Sequence, residues 1–117
     1  MMFRNVDEGG VPSHGRSFEP GRLVRHRRYG YRGVVVGADK SCQAPDVWYL
    51  NNKTQPDRDQ PWYHVFVHAS GGSTTYAAHA SLEADPSADP VDHPLIEHFF
   101  SEFSDGRYVR NDELWPG

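Results

Sequence analysis

Six arginines fall between positions 16 and 32 (Arg16, Arg22, Arg25, Arg27, Arg28 and Arg32), with His26 among them and Glu19 as the one acid. Guanidinium groups at this density neutralise phosphates and release counterions, which points to polyanion binding that weakens steeply with salt. Tyr29 and Tyr31 interleave with the arginines around a turn, and rings so placed can stack on bases. Arg25, His26, Arg27, Arg28, Tyr29, Tyr31 and Arg32 are therefore the candidate DNA-contacting set. The competing reading is a solvated face with both tyrosines in the core. Alternation from Leu23 to Arg27 also sends Arg25 to the side of Leu23, where it would pair with a carboxylate rather than a phosphate.

Other reactive residue types carry weaker signals. His64 and His68 are four apart, but on a strand that spacing separates them by ~13 Å, too far to share an ion. His93 and His98 are five apart and do not share a helical face. With Cys42 as the single cysteine, neither a multi-Cys zinc site nor an internal disulfide is expected, so no metal and no cofactor are assigned. His26 and His64 read as hydrogen-bonding groups that fix strands or turns. Lys40 could lower the thiol pKa of Cys42, yet no partner base lies near it. The chain has no Gly-rich phosphate loop and no G-x-S-x-G elbow, and the expectation is a protein that is not an enzyme. Trp48 and Tyr49 lie in an irregular stretch. Trp and Tyr are favoured interface anchors, which makes these two the candidate protein-contact residues.

These side chains need short strands to hold them. Pro20-Gly21 signals a turn and Leu23–His26 a first strand; the glycine-punctuated stretch 29–33 connects it to Val34-Val35-Val36, where three successive valines predict burial on both faces. Pro45 precedes a stretch that reads as a short helix over Asp46–Leu50 or as a bulged loop. Trp62 to His68 alternates, with Trp62, His64, Phe66 and His68 on one face and Tyr63, Val65 and Val67 on the other. Ser70–Ser73 is a hairpin turn, Thr74–Ala78 the returning strand, and Leu82-Glu83 a last short strand. Several short strands joined by Gly and Pro turns predict a small curled sheet or barrel. Residues 1–17 read as a flexible arm and residues 84–94 as a Pro/Asp-rich connector. Leu95, Ile96, Phe99, Phe100 and Phe103 have the spacing of an amphipathic helix that Ser104-Asp105-Gly106 would stop. So apolar a segment is expected to pack on the barrel or to cover a second subunit, which leaves a homo-oligomer open.

Length and composition set the frame. The 117 residues suit one domain, and 37% hydrophobic residues with 13% aromatics imply a core built on few, large rings. The net charge is −4, with the acids gathered after position 57, so the basic opening sits on an acidic body. No apolar run reaches the ~20 residues that span a bilayer and the start lacks an apolar signal region, so the expected location is cytoplasmic, with no membrane partner.

Taken in order, the blocks Phe18-x-Pro-Gly-Arg-Leu-Val-Arg-His, Tyr29-Gly-Tyr-Arg-Gly-Val-Val-Val-Gly-Ala-Asp39, Gln60-Pro-Trp-Tyr-His-Val-Phe-Val-His68, Thr75-Tyr-Ala-Ala-His79 and Leu82-Glu83 resemble the YccV-like family. That family includes HspQ and is also called the hemimethylated DNA-binding domain. The resemblance covers residues 18–83. It implies a mainly β fold, a small SH3-like β-barrel of about five strands; residues 84–117, a linker and a helical or extended appendage, are a departure from compact members of the family. It also implies a non-enzymatic module binding DNA methylated on one strand or, alternatively, an HspQ-like adaptor for a Lon-type protease or its clients in heat-shock proteolysis.

Overall fold

The computed structural model describes residues 17–116; the arm read over residues 1–17 lies outside them, Ser17 apart. Strand β1 (Leu23–His26) follows the Pro20-Gly21 turn, and a tight polar turn leads to β2 (Arg32–Asp39). Helix α1 (Asp46–Leu50) sits in the long connection to β3 (Trp62–Val67). The Ser70–Ser73 hairpin returns the chain as β4 (Thr74–Ala78), and one 3-10 turn (His79–Ser81) delivers β5 (Leu82–Ala84). These strands form an antiparallel sheet in the order β4-β3-β2-β1-β5. The expected mainly β architecture is present, but the ladder is linear, with no pairing between its outer strands β4 and β5.

The valine run explains why the sheet needs cover on both sides. Val34, Val35 and Val36 are all within 1% of complete burial. Val36 is the extra residue of a bulge, because Val35 opposes Val65 while Gly37 opposes His64. On one face Val24, Val35, Tyr63, Val65, Ala77 and Leu82 pack together, with Phe18 and Tyr31 at the margin. On the other, Leu23, Val34, Val36 and Phe66 meet Val91, Phe99, Phe100 and Tyr108. The two faces of β3 divide as the alternation requires, Phe66 to one core and Tyr63 and Val65 to the other.

The C-terminal segment differs from the helical expectation. Its helix is a single turn, α2 (Ile96–Phe99), after which β6 (Phe100–Ser104) and β7 (Arg107–Arg110) form a separate hairpin. Asp105 and Gly106 carry successive φ values of 54° and 75°, the geometry of a two-residue hairpin turn, and they reverse the chain rather than ending a helix. Phe66 is the anchor beneath. Its ring stacks on His93 at 4.3 Å and lies 5.8 Å from Phe99 and 5.7 Å from Trp115.

Gly21 fastens the two parts. Its N–H donates to the Val35 carbonyl at 2.8 Å, and its carbonyl accepts from the Tyr108 N–H at 2.9 Å. Its φ is +98°, and a Cβ there would stand 2.0 Å from the Tyr108 carbonyl oxygen. Gly21→Ala is expected to destabilise the fold by about 1–3 kcal/mol from backbone strain alone, with the clash added. Urea unfolding checks this; an unchanged midpoint would show that the hairpin does not depend on this approach.

Candidate functional site

The arginine-rich turn is held by a histidine. His26 Nδ1 accepts the backbone N–H of Arg28 and of Tyr29, each at 3.1 Å, so that nitrogen carries no proton. The imidazole is 7% exposed and lies between the Tyr29 ring, stacked at 4.6 Å, and the Tyr31 ring at 5.1 Å. Burial, followed by the charge of Arg28, pushes its pKa below the ordinary 6.5. His26 thus builds the turn that presents its neighbours. Tyr29 is 53% exposed, whereas Tyr31 is half-buried against the sheet core. Burial, partly offset by a hydrogen bond with Thr75, raises the Tyr31 phenol pKa.

The arginines fall into two groups. Glu83, Arg25 and Arg32 lie directly opposite one another across β5, β1 and β2. Arg25 binds the Glu83 carboxylate with both Nε and Nη2, the carboxylate pairing foreseen as the alternative to a phosphate contact. Arg32 donates Nε to Asp85 Oδ2 at 2.6 Å and Nη2 to the Asp89 carbonyl, which ties the connector to the sheet. Burial alone would raise the Asp85 carboxyl, but hydrogen bonds from Ser87 and Arg32 outweigh it and leave its pKa lowered. Arg27 and Arg28 make up the second group. Arg27 holds the Leu82 carbonyl at 3.1 Å and reaches Glu83 only at 3.4 Å, with its side chain 60% exposed. Arg28 is exposed, sits 5.8 Å from the Tyr29 ring centroid and is in no ion pair among the described residues.

Trp48 and Tyr49 also part company. Helix α1 buries none of its own residues, so other groups must fix it. The Tyr49 hydroxyl lies 2.9 and 2.8 Å from the Gln55 and Pro56 carbonyls, and Arg58 caps its ring at 4.9 Å. Arg58 also pairs with Asp46 at 3.1 Å and holds the Ala44 carbonyl. Tyr49 is therefore a brace for the loop. Trp48 stands out beside it, 37% exposed, with its ring 6.1 Å from Trp62 and 5.8 Å from Tyr76.

Four residues of the two candidate sets line one groove, whereas Arg25, Arg27, Arg28, Arg32 and Tyr49 do not. His26, Tyr29 and Tyr31 line it from the β1–β2 turn, Trp48 from α1, and Trp62 and Tyr76 from β3 and β4. Trp62 is buried with Cys42 and Ala78, and Tyr76 packs partly buried against that cluster. Tyr76 is fixed by donating its hydroxyl to Asp39 at 2.6 Å while accepting from the Gln43 N–H at 3.0 Å, and burial followed by the Asp39 bond raises its pKa. The signal that could have found the groove is the aromatic content of β3 and β4 beside the small residues Ala77 and Ala78, which line it with Trp62 and Tyr76. Cys42 is buried against Trp62 and Ala78. Among the described residues no group of three or more His, Cys, Asp or Glu is placed to hold a metal ion, and no helix is long and apolar enough to cross a membrane.

Sheet and groove together define a small antiparallel β domain with an aromatic surface cleft beside a basic turn. The chain belongs to the YccV-like family, described as "Hemimethylated DNA-binding protein YccV like", which matches residues 16–107. The match runs past Glu83 through the connector, α2 and β6 to the start of β7. The chain is also similar to the F-box only protein 21 of Homo sapiens, Pongo abelii and Mus musculus, 35% identical over 97 residues in each case. The alignments cover 80% of this chain and 15% of each relative, so the chain spans only a small part of the relatives' length.

The turn carries a pH dependence. The folded state lowers the pKa of His26, so its contribution to stability is complete above about pH 6.5 and is lost as the pH falls through the lower folded value. An NMR titration is expected to give a His26 midpoint below 6.5, with the Arg28 and Tyr29 amides shifting on protonation. A midpoint at or above 6.5 would contradict this account of the turn.

Proposed function

We propose that this chain is a non-enzymatic DNA-binding module whose phosphate contacts come from Arg27 and Arg28 at the basic turn. One observation carries the reading: these two guanidinium groups extend from a turn that His26 fixes, beside the exposed Tyr29 ring, while Arg25 and Arg32 are occupied by Glu83 and Asp85. The family description supports DNA as the polyanion and hemimethylated sites as the target. In this reading the five strands and the 3-10 turn form an SH3-like, partly open barrel, and the protein works inside the cell. Arg25 and Arg32, first grouped with the DNA contacts, act here as structural cross-braces.

A second reading has an observation of its own. Val47 and Leu50 are 68% and 61% exposed on α1 beside Trp48, an apolar edge suited to a protein partner. Under this reading the module recruits proteins, as an HspQ-like adaptor for a Lon-type protease would.

Binding to unmethylated, hemimethylated and fully methylated duplexes at two salt concentrations separates the readings. DNA binding through two phosphate contacts gives a log–log salt slope near −2, at ~0.9 per contact. Arg27→Ala/Arg28→Ala is expected to flatten that slope and weaken all three duplexes together. Full affinity in the double variant would exclude the basic turn. Arg32→Ala is expected to lower stability by about 1–3 kcal/mol, because it leaves the buried Asp85 carboxylate short of a partner, and to spare DNA affinity in the folded fraction. A loss of affinity without a loss of stability would return Arg32 to the contact set.

A further inference from the structure

The groove has chemistry that duplex phosphates do not use. Its accessible rings are Tyr29 on the turn and Trp48 on α1, and Trp48 lies 5.8 Å from Tyr76 and 6.1 Å from the buried Trp62. None of its lining residues is an acid, although the chain carries a net charge of −4. The nearby carboxylates are already engaged: Asp39 accepts from Tyr76, and Asp46 pairs with Arg58. Cations flank it instead. The Arg28 guanidinium lies 5.8 Å from the centroid of the lining Tyr29 ring, and Arg27 precedes it in the same turn. Aromatic walls would also suit a methylated ammonium group, but such a cation would meet the Arg28 charge and no acid among the lining residues. A flat ring attached to an anionic backbone matches both features: it stacks on every exposed face while its flanking phosphates meet the rim cations. Thr75 and Ser81 add hydroxyls at the groove that can bond a base edge.

We propose that this groove receives one unpaired nucleobase, so that the module binds DNA at a position where a base has left the stack. The proposal rests on the DNA-binding reading and adds a second contact to it. Extruding a base from a duplex costs free energy, least where the base is already unpaired, so affinity should follow the availability of such a base. A fully paired duplex would engage the basic turn alone.

The test uses the full chain and two matched DNAs: a fully paired duplex, and the same duplex with one unpaired 2-aminopurine. The bulged duplex is expected to bind roughly tenfold tighter or more, the range of one base–aromatic stack, with 2-aminopurine fluorescence quenched on binding. Trp48→Ala should abolish that preference and the quenching while leaving affinity for the paired duplex unchanged, and Trp48→Phe should retain most of both. Arg27→Ala/Arg28→Ala should weaken the two DNAs alike. Circular dichroism and thermal melting show that each variant is folded; if Trp48→Ala unfolds, Trp48→Leu, which keeps bulk but removes the ring face, takes its place. Equal affinity for both DNAs, unaffected by Trp48→Ala, would overturn the base-binding groove and leave the DNA-binding reading standing. Absence of binding to either DNA at low salt would overturn both.

Discussion

An antiparallel sheet with a run of three buried valines at its centre cannot leave either face to water. Val35 and its neighbours are covered by one another and by Tyr63, with Phe18 and Tyr31 at the margin. Val34 and Val36 face the other way, and the chain beyond β5 covers them. Phe66 sets the terms of that cover, because a large aromatic ring at full burial needs partners on all sides, and His93, Phe99, Phe100 and Trp115 supply them. The connector that brings them there is held in turn by the Arg32–Asp85 pair, so a residue of the arginine-rich opening serves the core through its charge.

That demand divides the arginines between structure and recognition. A carboxylate opposite a guanidinium across a ladder removes that cation from the pool available to a polyanion. Arg25 and Arg32 lie in such a row, whereas Arg27 and Arg28 lie beyond the end of β1, where no strand neighbour is available to neutralise them fully. The groove arises in a similar way. Strands β3 and β4 present Trp62 and Tyr76 beside the small side chains of Ala77 and Ala78, and α1, fixed by Tyr49 and Arg58, brings Trp48 to its edge.

Much of the scaffold was legible because local chemistry determines it. Pro20-Gly21, the glycines around Tyr31, the Ser70–Ser73 turn and the valine run mark strands and turns without reference to distant contacts. The C-terminal element was not, since the spacing of Leu95, Ile96, Phe99, Phe100 and Phe103 satisfies a helix as readily as one turn followed by a strand. The deciding residues, Asp105 and Gly106, are a hairpin signal whose meaning depends on a partner strand at Arg107–Arg110. Site residues divide along the same line. That arginines and tyrosines would cluster at a turn could be read locally, but the ion pairs that claim Arg25 and Arg32 join residues 58 and 53 positions apart. That Trp48 and Tyr29 line one groove depends likewise on strand order.

The reciprocal bonding of Gly21 places the entrance of β1 against β7, so the path of the chain through the folded unit nearly closes on itself. The first strand and the last are thereby fastened backbone to backbone, so the earliest and latest strands of the unit part only when those hydrogen bonds break.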